Sequence, residues 1–145
     1  MKAEITASKT ALQTDLDYIK SRDIYVTEDL RLIRNTGGYP AIGIKDGVTG
    51  FANYAADQDD ENFSITFAAY VQLLKPEAGV MGSGSKKGVL DVASDIIASL
   101  KNNALGGLVE TAFPTTQGGS EILSDGNLAI LMVPVTMQYT RFDTV

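Results

Sequence analysis

The chain has 145 residues, 44% of them hydrophobic and 21% charged, with a formal net charge of −6, which are ordinary values for one globular domain. It contains neither cysteine nor histidine, which excludes disulfides, thiolate nucleophiles, zinc–thiolate sites and every Ser-His or Cys-His hydrolase scheme. The acidic balance argues against sequence-blind nucleic-acid binding, and the longest apolar run, residues 128–135, falls far short of the roughly 20 residues of a membrane span.

The opening Met1-Lys2-Ala3-Glu4-Ile5-Thr6 carries an early acid and no apolar h-region. It predicts a cytoplasmic chain without a secretion signal. Ile5, Leu12, Leu16 and Ile19 then fall near one helical face, with Ala7 and Ala11 beside them. This spacing predicts an amphipathic helix over residues 3–21, docked on a sheet. Residues 23–34 are ambiguous: Ile24 and Val26 alternate as in a strand, whereas Leu30, Leu32 and Ile33 suit either form. Asn35-Thr36-Gly37-Gly38 closes the stretch as a turn.

Residues 39–45 read as a strand, with Pro40 acceptable at its start or on an edge. Asp46-Gly47 is a hairpin signal that predicts a returning strand over residues 48–54. The acidic stretch 55–62 suits an exposed loop. Residues 63–73 alternate cleanly, with Phe63, Ile65, Phe67, Ala69, Val71 and Leu73 forming the inward face. A glycine-rich connection over 75–87 leads to an amphipathic helix over 87–102, marked by Val89, Leu90, Ala93, Ile96, Ile97 and Leu100 and stopped by Asn102-Asn103 near Gly106-Gly107. Short strands are predicted near 108–113 and 122–123, with Asp125-Gly126 as a second hairpin turn. A last strand spans 128–142, where Pro134 implies an edge, a bulge or a bend. Hairpin-length links dominate. The expected fold is therefore α+β, one domain over residues 1–145 with a mainly antiparallel sheet and its two principal helices on one face.

Two segments invite a chemical reading. Gly79 to Gly88 follows a strand and opens a helix, where a phosphate-cradling loop would lie. Its spacing meets neither template: Gly84 is followed by Ser85, Lys86 and Lys87 rather than directly by Lys and Ser or Thr, and Gly88 lies four residues after Gly84. The segment reads as a flexible loop in which Ser85 or a neighbour caps the next helix. The alternative is a contact loop whose Lys86 and Lys87 meet an acidic partner surface. Asp57, Asp59, Asp60 and Glu61 form the densest carboxylate cluster, and Asp57, Asp59 and Glu61 alternate as calcium ligands do. A glycine at the sharp turn and a closing acid are both missing, which favours a solvated loop. Asp15 and Asp17 point to different sides of the first helix, and Glu110 and Glu121 lie on separate segments. The tyrosines Tyr18, Tyr25, Tyr39, Tyr54, Tyr70 and Tyr139 read as sheet packing, with one or two available to an interface. No catalytic, cofactor-binding or metal-binding residue is assigned, and no cofactor is expected. An enzyme working through carboxylates or Lys86 and Lys87 would need a concave pocket lined by convergent polar groups.

In order and spacing these features resemble the tail terminator and neck-completion proteins of long-tailed bacteriophages. The resemblance rests on the amino-terminal helix, the motif Tyr39-Pro40-Ala41-Ile42-Gly43-Ile44, the acidic hairpin after it, the alternating strand of 63–73, a variable loop, a second helix and closing strands. Residues 114–145 depart most in length. The resemblance implies a non-enzymatic virion protein of the tail or neck, made in the host cytoplasm. It implies a ring, most often a hexamer, that caps the tail tube, halts its polymerisation and joins it to the head connector. The implied partners are further copies of the chain, the tail-tube protein and the connector proteins, without nucleic-acid specificity or membrane attachment. No contact residue is carried over. The loops 55–62 and 75–87, long and polar or glycine-rich, are the expected contact segments. Another phage assembly component, a tail-tube subunit or head-completion protein, is the alternative, and a small binding domain is a third reading.

Overall fold

The computed structural model describes residues 1–34, 38–55 and 58–144, and the side chains among them other than those of 52–55, 58–59 and 142–144. Its elements are α1 (Lys2–Asp15), β1 (Ile24–Val26), β2 (Ala41–Ala55), β3 (Gln58–Gln72), α2 (Pro76–Met81), α3 (Val89–Leu100), β4 (Thr111–Gln117), β5 (Glu121–Asp125) and β6 (Leu128–Thr144). The strands form one sheet in the order β1-β2-β3-β6-β4, with β5 also paired to β6. All pairings are antiparallel except that of β1 with β2. The architecture is the expected α+β one.

Alternation of side chains across the strands builds the core. Phe63, Ile65, Phe67, Ala69 and Val71 of β3 share one face with Ile42 and Ile44 of β2 and with Leu131, Val133, Val135, Met137 and Tyr139 of β6. Leu12, Leu16 and Ile19 cover that face together with Val89, Val92, Ile96 and Leu100 of α3. Each fully buried aliphatic or aromatic side chain here contributes about 1.5–3 kcal/mol. Both principal helices therefore lie on one face of the sheet.

The opposite face is covered at one end only. Ala41, Ala68, Tyr70, Leu123, Ile130 and Met132 form a second, smaller cluster beneath Tyr25, Leu30, Ile33 and Tyr39. The Tyr70 hydroxyl donates to the Leu30 carbonyl at 2.5 Å, and its ring stacks on Tyr25 with centroids 6.3 Å apart. Residues 27–34, ambiguous in sequence, are an arm laid over this cluster.

Several boundaries differ from expectation. The first helix ends at Asp15 because Leu16 leaves helical geometry (φ −102°, ψ 69°), and the turn after it returns Leu16 and Ile19 to the core. Its buried stripe is Glu4, Ser8 and Leu12, with Ile5 only half-buried. Asp46-Gly47 is not a hairpin turn: β2 runs straight through it with a bulge between Asp46 and Thr49. Glycine is needed there because a Cβ on Gly47 would lie 2.7 Å from the Ser64 carbonyl oxygen, and a glycine inside a strand often marks a bulge or a close backbone approach. The returning strand expected over 48–54 is the rest of β2, and the loop expected over 55–62 is largely the paired ends of β2 and β3. The connection over 75–87 holds α2, opened by Pro76 at its first position. The strand expected near 108–113 begins at Thr111 and runs to Gln117, and the Asn35-Thr36-Gly37 part of the predicted turn lies outside the described residues.

Pro134 occupies neither an edge nor a bulge. It pairs with Ala68 in the interior strand β6. Its carbonyl accepts from Gly118 at 2.9 Å, so its donor-less nitrogen also faces the β4–β5 side, where β5 gives way to β4. A missing N–H is tolerated at that break in the ladder.

Candidate assembly surface

The glycine-rich segment closes on itself. Ser83 and Lys86 exchange main-chain hydrogen bonds of 2.9 and 3.2 Å, and Gly82 turns the chain at φ +84°. Gly88 sits so close to the Gly82 nitrogen that a Cβ would lie 2.3 Å from it. Asp91, not Ser85, caps α3: its carboxylate accepts from the Gly88 N–H at 2.9 Å, as an acid in the first helical turn does. That acceptor sits where an anion would have to bind, and it opposes a phosphate reading of the loop.

Lys87 is not a free cation. Its ammonium lies 2.7 Å from Asp95 Oδ2 and 4.6 Å from the centre of the Tyr18 ring, and the Tyr18 hydroxyl donates to the same carboxylate oxygen at 2.7 Å. Partial burial would raise the Asp95 pKa, but the Lys87 and Tyr18 hydrogen bonds outweigh it and hold the carboxyl below its ordinary range. Burial, reinforced by Asp95, raises the Tyr18 phenol. This cluster ties the turn after α1 to α3 and to the glycine-rich loop. Lys86 is exposed beside it. A groove of about 410 Å³ runs between them, lined by Tyr18, Tyr39, Pro40, Val71, Gln72, Leu74, Ser85, Lys86 and Lys87. It has an apolar floor and a basic rim. Its own lining holds no carboxylate, whereas an adjoining groove of about 390 Å³ that shares Tyr18 and Lys87 is lined by Asp15, Asp17 and Asp95.

Of the other residues singled out by sequence, Asp15 and Asp17 line one groove, because α1 ends at Asp15 and Asp17 is not on the helix, and the rest are dispersed. Asp57 lies outside the described residues, as does the Asp59 side chain. Asp60 is buried at 2% exposure on β3. Glu61 accepts from Arg141 Nη2, whose Nη1 donates at 2.8 Å to the fully buried Glu4. The acidic stretch is therefore part of the sheet rather than a solvated loop. Among the described residues no group of three His, Cys, Asp or Glu side chains is placed to hold a metal ion. Asp15 accepts from Ser99 at 2.6 Å. Glu110 and Glu121 stand beside Thr140 and Met132 of β6, about 26 Å apart at 3.3 Å per residue, so they do not meet. Glu121 pairs with Arg31, and Tyr39 donates to Asp125 at 3.0 Å, pinning the arm to β5.

Sequence reasoning missed the Glu4–Arg141–Glu61 cluster. Its signal was an acid, Glu4, eight residues before Leu12 on the same helical face, with Ser8 between them. A carboxylate there predicts a cationic partner from a distant strand.

Among the described residues, the five most exposed large apolar side chains stand towards the two ends of the long strands. Val48 and Phe51 stand out from β2 with 83% and 77% exposure. Leu74, Met81 and Ile122 are exposed near the opposite end of the sheet, where Ile122 pairs with Leu131 and Leu131 with Val71. Phe51 pairs with Glu61, so the two places are separated along β3 by the run from Glu61 to Val71, about 33 Å.

No helix among the described residues is long and apolar enough to cross a membrane. No family model and no curated protein matches the chain.

Proposed function

We propose that the chain is a structural assembly protein of the phage tail terminator kind, forming a ring that caps the tail tube and offers a new surface to the head connector. The observation that carries this reading is that the most exposed large apolar side chains stand at the two opposite ends of the sheet, Val48 and Phe51 at one and Leu74, Met81 and Ile122 at the other. Exposed apolar clusters of this kind mark interaction sites. A subunit with two different patches associates head to tail, and such contacts close into a ring when the rotation per subunit divides a full turn. The groove beside Lys86 and the glycine-rich loop would then face the tube or the connector. The reading assigns no catalytic residue, cofactor or nucleic-acid contact.

Native mass by light scattering over a concentration series, with negative-stain images of any large species, tests it. A discrete six-fold ring, templated on tail tubes where the free chain stops at a smaller species, is the expected product. Open stacks would replace the terminator with a tube subunit, and failure to form any ring, alone or on tail tubes, would end the proposal.

A further inference from the structure

The two outer edges of the sheet are treated differently. On β4 the edge is closed: the Ala112 carbonyl accepts from the Asn102 N–H at 2.9 Å, Pro114 has no N–H to offer, and the register shifts between Pro114 and Thr116. These are the usual devices that stop an edge strand recruiting another strand. On β2, the parallel partner β1 covers only Ile42 to Ile44, and its last contact is the Thr27 N–H donating to the Ile44 carbonyl at 2.8 Å. Beyond that point no strand among the described residues lies against the outer edge of β2.

The ladder fixes which groups are bare. Just past β3, Leu73 donates to the Ala129 carbonyl of β6, so the odd-numbered residues of β3 turn their main-chain groups towards β6. Their partners on β2 beyond the bulge are Thr49 opposite Phe63, Phe51 opposite Glu61 and Asn53 opposite Asp59. These three therefore direct N–H and C=O outwards. Residues 48–56 carry no charge although the chain has a net charge of −6, and the exposed Val48 and Phe51 lie within them. An antiparallel pairing centred on Phe51 is self-complementary. It sets Phe51 against Phe51 of the second copy and Thr49 against Asn53 of the second copy, with no like charges opposed.

We infer that the outer edge of β2 pairs about a two-fold axis with the same edge of a second copy, through about six main-chain hydrogen bonds over Thr49, Phe51 and Asn53. The guarded β4 edge does not offer itself to β2 of a neighbour, which leaves the like edge as the matching partner. The pairing stands on the edge alone. Its consequence rests on the ring reading: the dimer covers Phe51, one of the two patches the ring needs, so dimer and ring compete for it.

The test uses the full chain in sedimentation or light scattering across a concentration series, with amide hydrogen exchange read at both ends of the series. The mass is expected to rise from 15.4 kDa towards twice that value. Thr49 and Phe51 amides gain protection with concentration, whereas that of Gly50, which faces β3, is protected throughout. Phe51→Lys sets a cation against itself across the axis and is expected to weaken the dimer at least ten-fold. Phe51→Pro removes an outward N–H without breaking the β3 ladder and should act alike, while Phe113→Lys near the guarded edge leaves the dimer intact. A chain that stays monomeric with Thr49 and Phe51 exchanging freely at the highest concentration overturns the inference, as does a dimer that survives both Phe51 variants. A ring formed without protection of these amides would overturn it while supporting the proposed function.

Discussion

The two faces of the sheet are made by the same strands, and they differ in what covers them. On the helix face, α1 and α3 lie over a continuous apolar layer running from Ile42 and Ile44 across Phe67 to Val135 and Tyr139. On the arm face, residues 27–34 with Tyr25 and Tyr39 cover one end only. The rest presents Ser64, Thr66, Thr136, Gln138 and Thr140, partly open to solvent, with the Thr66 and Thr136 hydroxyls paired at 3.1 Å. Coverage therefore grades the sheet from dry, through tyrosine-bridged, to wet. Stability is concentrated on the first face, and adaptability on the second.

The strongest way to break this contrast is a cavity on the helix face. Phe67→Ala removes a fully buried ring and is expected to cost about 3–5 kcal/mol, read from the midpoint of denaturant unfolding. A comparable loss from Thr136→Val would show that the two faces are not graded as described.

Alkaline pH probes both faces together. Burial pushes the Tyr139 phenol up to about 12, with Ser8 acting weakly in the other direction. Burial also raises Tyr70, with Tyr25, Asp29 and Tyr39 adding to the effect. Both phenols titrate near pH 10 in the unfolded chain, so the fold holds their neutral forms. Stability is intact below about pH 10 and declines as pH rises towards 12. Phenolate absorbance and circular dichroism should therefore change together in that window. Independent ionisation of these two tyrosines at their ordinary pKa in a chain still folded would contradict their burial.

On the arm face, Tyr70→Phe keeps the ring stack and deletes the hydrogen bond to Leu30. About 1 kcal/mol is expected, with the loss localised as faster amide exchange in residues 27–34 rather than in β3. The smallest effect belongs to the wet end, where Thr136→Val is expected to change stability by less than about 0.5 kcal/mol.

Much of this was legible in the chain itself. The alternation of residues 63–73 identified both the strand and its inward face, because a period of two leaves few alternatives once one side is dry. The second helix was legible for a similar reason, since Val89, Ala93, Ile96 and Leu100 are all buried. The candidate surface was less so. The glycine-rich segment was found, but its closure on Gly88 and the engagement of Lys87 by Asp95 and Tyr18 depend on residues up to 77 positions apart. Glu4 and Arg141 are 137 positions apart, and nothing local joins them.

The sequence by itself determined the class of fold, the apolar faces of the longest strand and the second helix, and the lack of cysteine and histidine chemistry, because these follow from composition and short-range periodicity. Tertiary structure alone decided that Gly47 makes a bulge rather than a turn, that the acidic stretch 58–62 is paired strand, and that Pro134 lies within the sheet at a gap between β4 and β5. A glycine, an acid or a proline has the same local preferences in each setting. What selects among them is the neighbouring strand, and for Gly47 that neighbour is the Ser64 backbone, too close to admit a Cβ.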